Sequence, residues 1–169
     1  MAETPEPKPA MTDPQELLLA YLDHNQEVIL RKLDGLSEVE LRRSRLPSGW
    51  TPLGLLKHLA CTERFWIRFV FAGEDVDFSW PGTAEQEWQV APDETAAGTA
   101  AFFLAEREHC RQVAAAGSRD RLAARQIGQE PCRARPSLAW VLFHLLESFA
   151  RHAGHLDVVR ELADGTTGK

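Results

Sequence analysis

The sequence is short of features that mark several classes of protein. It has three cysteines among 169 residues, Cys61, Cys110 and Cys132, and none forms a CxxC pair of the kind found in zinc knuckles or redox motifs. No apolar run approaches the roughly 20 residues of a membrane span, and the first residues lack the apolar core of a signal peptide. We therefore expect a cytoplasmic protein with reduced thiols and no membrane partner.

Positive charge is also sparse. The formal net charge is −6, and the sequence contains no cluster of lysine and arginine with interleaved aromatic residues. Both observations argue against a surface that binds the phosphate backbone of a nucleic acid. A content of 44% hydrophobic and 26% charged residues is typical of a globular domain with one core. We expect a single domain that does not bind nucleic acid.

Helical periodicity is the main pattern that the sequence does contain. Apolar residues recur at helical spacing in four long segments. We place these segments at 14–33, 52–71, 95–116 and 137–162. Four amphipathic helices with little strand signal predict an all-α four-helix bundle. The domain is expected to span 13–164, between disordered ends at 1–12 and 165–169.

Local signals indicate where these helices begin. Two of them start with a capping side chain followed by proline, Asp13–Pro14 and Thr51–Pro52. Ser37 and Glu40 fit a capping box that predicts a further helical turn over 37–42. The caps and the periodicity therefore indicate the same boundaries.

The segment "HLLESFARHAGHLD" places His144, His152 and His155 on the last predicted helix. At 100° per residue, positions 144, 148, 151 and 155 fall within about 40° of one another, and His152 lies about 60° to 80° to one side. We expect several of these side chains to face the bundle interior, together with His58 of the second helix. They form either a metal site or a set of ordinary hydrogen-bonded histidines, and position alone leaves both open.

The metal interpretation has a chemical basis. Imidazole nitrogen binds zinc, nickel and iron(II), and two ligands about one turn apart on one helix plus one from a facing helix give a three-ligand site. Such a site keeps an exchangeable position, at which the ion lowers the pKa of a bound water or thiol. His24 and His109 have no companions, so we expect them to be ordinary polar residues.

Two segments of the chain together resemble a known group of proteins. They are "GWTPLGLLKHLACTERFWIRFVFAGED" and "SLAWVLFHLLESFARHAGHLDVVRELADGTTG". They resemble the DinB-like superfamily of four-helix-bundle metalloproteins, in its branch related to mycothiol-dependent maleylpyruvate isomerase. The resemblance implies a divalent metal, with zinc or nickel expected, that activates a low-molecular-weight thiol. By position, its ligands would be His58, residue 148 and His152.

The chain departs from that ligand pattern at Ser148, where the resemblance implies a histidine or glutamate. A neutral hydroxyl is a weak ligand for these ions, so the site is loosened, completed by His155 or Glu147, or empty. Glu147 lies about 100° around the helix from residue 148, whereas His155 follows His152 by three residues and needs less distortion. We take His58, His152 and His155 as the expected ligands, with weak metal binding.

Three functions are compatible with these observations. The first is a metal-dependent thiol S-transferase or isomerase that acts on a small molecule with a mycothiol-type thiol. The second is a non-catalytic binding or stress-response scaffold with a degenerate metal site, and the third is a structural interaction protein.

The long loop after the second helix contains three aromatic residues, Phe78, Trp80 and Trp88. They either roof a pocket or pack over the bundle end. Apolar helix faces on two sides are consistent with a homodimer.

Overall fold

The chain folds as an all-α bundle. The computed structural model describes residues 5–76, 88–128 and 133–167, and within these ranges it contains five α-helices, two isolated β-bridges and no strand. The helices are α1 (Pro14–Leu33), α2 (Glu38–Leu41), α3 (Pro52–Glu63), α4 (Ala96–Ala116) and α5 (Leu138–Asp164). The prediction of four long helices and one short helical turn is confirmed. None of the described helices is both long and apolar enough to cross a membrane.

The predicted N-terminal caps are also confirmed. The side-chain oxygens of Asp13, Ser37 and Thr51 each accept a hydrogen bond from a backbone N–H in the first turn of the helix that follows. These bonds satisfy amide groups that have no partner within the helix itself. Local sequence therefore sets where α1, α2 and α3 begin.

The second long helix differs from the prediction in its last part. We expected one regular helix over 52–71, but after Glu63 the chain continues as a π-helical segment, Arg64–Ala72. In this segment the backbone hydrogen bonds span five residues, an arrangement that is rare and frequently lies at functional sites. It ends at Gly73, whose φ of +75° lies in the left-handed region that favours glycine.

The relative directions of α1, α4 and α5 follow from which helix ends meet. Lys32, near the end of α1, pairs with Asp157, near the end of α5. Gln15, at the start of α1, donates hydrogen bonds of 3.0 and 2.8 Å to the carbonyls of Ala114 and Gly117 at the end of α4. Helix α1 therefore runs parallel to α5 and antiparallel to α4.

Helix α3 runs parallel to α4, so the chain leaves α3 at one end of the bundle and enters α4 at the other. Lys57, early in α3, pairs with Glu94 just before α4 at 2.7 Å. Arg68, in the π-helical segment, pairs with Glu106 in the middle of α4 at 3.0 Å. The residues just before α4 therefore lie near the starting end of α3, and Trp88 is among them.

The core is apolar apart from a few buried polar side chains. Its largest fully buried members are Phe71, Phe103 and Phe149, each 0% exposed. Of the cysteines, Cys110 is buried and Cys61 is half-buried, while Cys132 lies outside the described residues. The bundle interior is thus built mainly by dispersion and the burial of apolar surface.

Glu63 and Gln26 are an exception inside this core. Each is 1% exposed, and the Gln26 amide donates a hydrogen bond of 2.5 Å to Oε1 of Glu63. Burial raises the pKa of Glu63 to about 8, because an ionised carboxylate is poorly solvated in an apolar interior. The Glu63 side chain is therefore a neutral carboxylic acid at pH 7.

Candidate functional site

Two histidines from facing helices meet between α3 and α5. The ring centroids of His58 and His152 are 5.3 Å apart, and the ring planes are inclined by 80°. Burial lowers the pKa of both imidazoles to about 4, with the neighbouring histidines adding to the effect at His152. Both rings are therefore neutral at pH 7, which is the form of histidine that binds metal ions.

Helix α5 buries His152, but it does not bury the positions that the helical wheel favoured. His152 is 9% exposed and lies on the same arc as the core residues Leu145 and Phe149. Among the positions considered, only His152 is buried, His144 and Ser148 are half-buried, and Arg151 and His155 are exposed, because the apolar arc of the helix is centred near Phe149.

His155 nevertheless lies beside the buried pair. Its Nδ1 atom is 3.3 Å from Nδ1 of His152, and its ring centroid is 6.2 Å from that of Trp50. Two nitrogens bound to one tetrahedral zinc ion at about 2.0–2.1 Å are separated by about 3.4 Å. The spacing of these two nitrogens therefore suits two ligands of a single ion.

The carboxylate that could have replaced the missing ligand points elsewhere. Glu147 is exposed and forms an ion pair with Arg151 one turn further along α5. Ser148 is half-buried and contributes only a neutral hydroxyl. No charged ligand from α5 therefore offsets the charge of an ion at the histidine pair.

The two histidines expected to be ordinary polar residues lie away from this pair. His109 on α4 contacts Oε1 of Glu74 through its Nε2 atom at 2.9 Å. His24 on α1 donates from Nδ1 to the carbonyl oxygen of Pro5 at 3.1 Å. This bond holds part of the N-terminal segment, for which composition predicts disorder, against α1.

The donor set suits a metal ion only in part. Within 5–76, 88–128 and 133–167, no three His, Cys, Asp or Glu side chains already have the arrangement of a metal centre. His58 and His152 provide two neutral nitrogen donors of the kind that zinc and nickel accept. A third nitrogen is available from His155, whose Nδ1 atom lies 3.3 Å from Nδ1 of His152.

Trp88 covers the histidine pair from the connection between α3 and α4. Its ring stacks on His58 with a centroid distance of 4.1 Å and an interplanar angle of 15°, and it lies 5.4 Å from the ring of His152. Of the three aromatic residues considered as a roof, Trp88 thus lies against the pair. Phe78 and Trp80 lie outside the described residues.

Three residues around the pair were not identified from the sequence as part of a site. A Cβ atom on Gly54 would lie 2.1 Å from the carbonyl oxygen of Trp88, so glycine permits this close approach. The Thr62 hydroxyl donates to the carbonyl of His58 at 2.8 Å and lies 3.5 Å from its Nε2 atom. Trp50 is the third. Gly54 and Thr62 each lie four residues from His58 on α3. This helical spacing is the signal that could have identified both of them from the sequence.

Comparison with known proteins agrees with the resemblance found in the sequence. The family model described as mycothiol-S-transferase matches residues 17–165, a range that includes His58, His152 and His155. No curated protein matches the chain. Because the family match covers far more than half of the sequence and all four long helices, the chain belongs to the mycothiol-S-transferase family.

Proposed function

We propose that the protein is a metal-dependent S-transferase that joins mycothiol, or a related low-molecular-weight thiol, to a small electrophilic molecule. The observation that carries this proposal is the pair of neutral imidazoles, His58 and His152, held between α3 and α5 under Trp88. Family membership supports the thiol. The histidine pair supports a position for the ion.

In this proposal His58 and His152 hold a divalent ion, zinc or nickel, and His155 completes the ligand set. The ion, when bound, supplies Lewis acidity that lowers the pKa of a thiol. The chain contributes rings that are largely preset, because His58 is stacked under Trp88 and His152 is buried in the face of α5. Preset ligands lose little side-chain entropy when they bind an ion.

Trp88 has a second role in this proposal. Its ring lies flat against one face of His58, and an aromatic ring in that position keeps water from the imidazole. Burial of this kind keeps the imidazole neutral, which is the form that can bind an ion.

Activity measurements with metal-free and zinc-loaded protein test this proposal. We expect loss of the mycothiol thiol in the presence of an electrophile only when zinc is bound, and we expect His152→Ala to reduce the rate by about a hundredfold. His24→Ala, a histidine variant on the outer surface of α1, is the matched control and should retain full activity. Equal rates in His152→Ala and the unchanged protein would refute the proposal.

A non-catalytic scaffold is the second candidate, and two observations favour it. Ser148 replaces an implied ligand, and the described ranges hold no ready three-ligand group. A scaffold of this kind would give no thiol transfer in zinc-loaded or nickel-loaded protein with any electrophile. The same activity measurements therefore separate the two functions.

A further inference from the structure

The histidine pair is one end of a row of facing side chains along α3 and α5. The two helices run antiparallel here, so positions four residues apart on one helix face positions four residues apart on the other. Two pairs of rings are in contact, His58 with His152 and Trp66 with His144, and Thr62 and Ser148 occupy the positions midway between them. Consecutive positions of the row are separated by about 6 Å along the helix axis.

The far end of this row is an aromatic cluster. The ring of Trp66 lies 4.5 Å from that of His144 at an angle of 62°. Trp140 stacks on His144, with ring centroids 5.1 Å apart and ring planes inclined by 8°. The ring centroid of Trp140 also lies 5.4 Å from that of Trp66. Trp140 is 47% exposed. The three rings therefore fix one another while leaving part of an indole surface open.

The cluster is uncharged at neutral pH. Burial, with a smaller effect from Arg151, lowers the pKa of His144 below its ordinary value of 6.5. The nearby guanidinium groups of Arg64 and Arg68 are directed to Glu106 on α4, at 2.6 and 3.0 Å. A surface of neutral rings favours planar apolar groups by stacking and by burial of apolar area.

We propose that Trp66, Trp140 and His144 form a subsite that binds the planar aromatic part of the electrophile. This inference rests on the proposed function, which places thiol transfer at the histidine pair, about 12 Å from His144 along α5. Thr62 and Ser148, at the positions between the two ends, are the smallest side chains of the row, and the histidine or glutamate that the resemblance implies at residue 148 would take up more of the space there.

Equilibrium dialysis with 1,3-dinitrobenzene tests the subsite directly. This neutral planar probe has no leaving group, so its binding to zinc-loaded protein is measured without turnover. We expect saturable binding at one site, and we expect Trp140→Ala and Trp66→Leu each to weaken it about fivefold. Tyr21→Ala, an exposed aromatic residue of α1, is the control and should bind the probe as before.

The kinetic arm uses mycothiol with an aromatic and a non-aromatic electrophile, N-(4-phenylbutyl)iodoacetamide and iodoacetamide, the first of which has its phenyl ring separated from the reacting carbon by a flexible chain. In each reaction the thiol sulfur bonds to carbon, the halide leaves with the bonding electron pair, and the thiol proton passes to solvent. Trp140→Ala should raise KM for the aromatic electrophile about fivefold and leave KM for iodoacetamide unchanged. Circular dichroism shows whether each variant keeps the helical fold.

Several outcomes would overturn the subsite. Equal effects of Trp140→Ala on both electrophiles would do so. The absence of saturable dinitrobenzene binding would also do so. This is the result expected if a segment of the chain or a second copy covers the rings. Saturable binding that depends on Trp140, without turnover of either electrophile, would uphold the subsite and contradict the proposed function.

Discussion

Among single residues, Glu63 has a protonation state that depends strongly on the fold. Its pKa is about 8 in the native state against an ordinary value of 4.5, because the apolar interior disfavours the charged form. Between these pH values the native state binds one more proton than the unfolded state. The free energy of unfolding should therefore fall as pH rises through this window, by about 1.4 kcal/mol per pH unit from this group.

Glu63→Gln tests this expectation because it keeps the shape and removes the titration. Urea unfolding at several pH values between 4.5 and about 8 should give a steeper decline for the unchanged protein than for Glu63→Gln. Glu108→Gln, an exposed position of α4, is the control and should follow the unchanged protein. Parallel pH profiles for Glu63→Gln and the unchanged protein would show that Glu63 does not carry a buried proton.

Ser148 gives a second prediction at this scale. Ser148→Glu places a carboxylate four residues before His152, where it can offset the charge of the ion. Zinc binding to metal-free protein should tighten about tenfold in a calorimetric titration. Ser148→Gln has a similar size without the charge and should tighten binding much less. An unchanged affinity in Ser148→Glu would mean that residue 148 does not face the ion.

At the scale of helices, the long segments could be predicted because periodicity and caps indicate the same boundaries. The π-helical segment could not be predicted. Its buried residues, Ile67, Val70 and Phe71, keep the spacing of three and four that an ordinary helix also shows. A change of hydrogen-bond register over nine residues moves side chains too little to alter that pattern.

The contact between α3 and the following connection depends on Gly54. Gly54→Ala should lower the free energy of unfolding by about 1–3 kcal/mol, because the added methyl group would overlap the Trp88 carbonyl. Gly154→Ala on α5 is the matched control, since nothing lies within 4 Å of its added Cβ. Alanine should raise stability there by about 0.5–1 kcal/mol. Urea unfolding of both variants measures the two effects, and stabilisation by Gly54→Ala would contradict the close approach of Trp88.

At the scale of the whole molecule, the sequence could identify the residues of the candidate site better than their arrangement. His58 and His152 could be selected from the resemblance, and the structure brings their rings to 5.3 Å. The inward face of α5 is marked in the sequence by apolar residues such as Leu145 and Phe149, but the distance between a ring on α3 and a ring on α5 depends on how the two helices pack, which helical periodicity does not give. Trp88 could not be positioned either, since its contact with His58 depends on how the residues before α4 pack on α3.

The central claim is that His58 and His152 hold one metal ion. Calorimetric titration of zinc into metal-free protein without a histidine tag tests it most directly. We predict one ion per chain, with affinity reduced about a hundredfold in His58→Ala and in His152→Ala. His24→Ala, which alters a histidine on the far side of α1, should bind as the unchanged protein does. Zinc binding that is the same in His58→Ala, His152→Ala and the unchanged protein would contradict the claim.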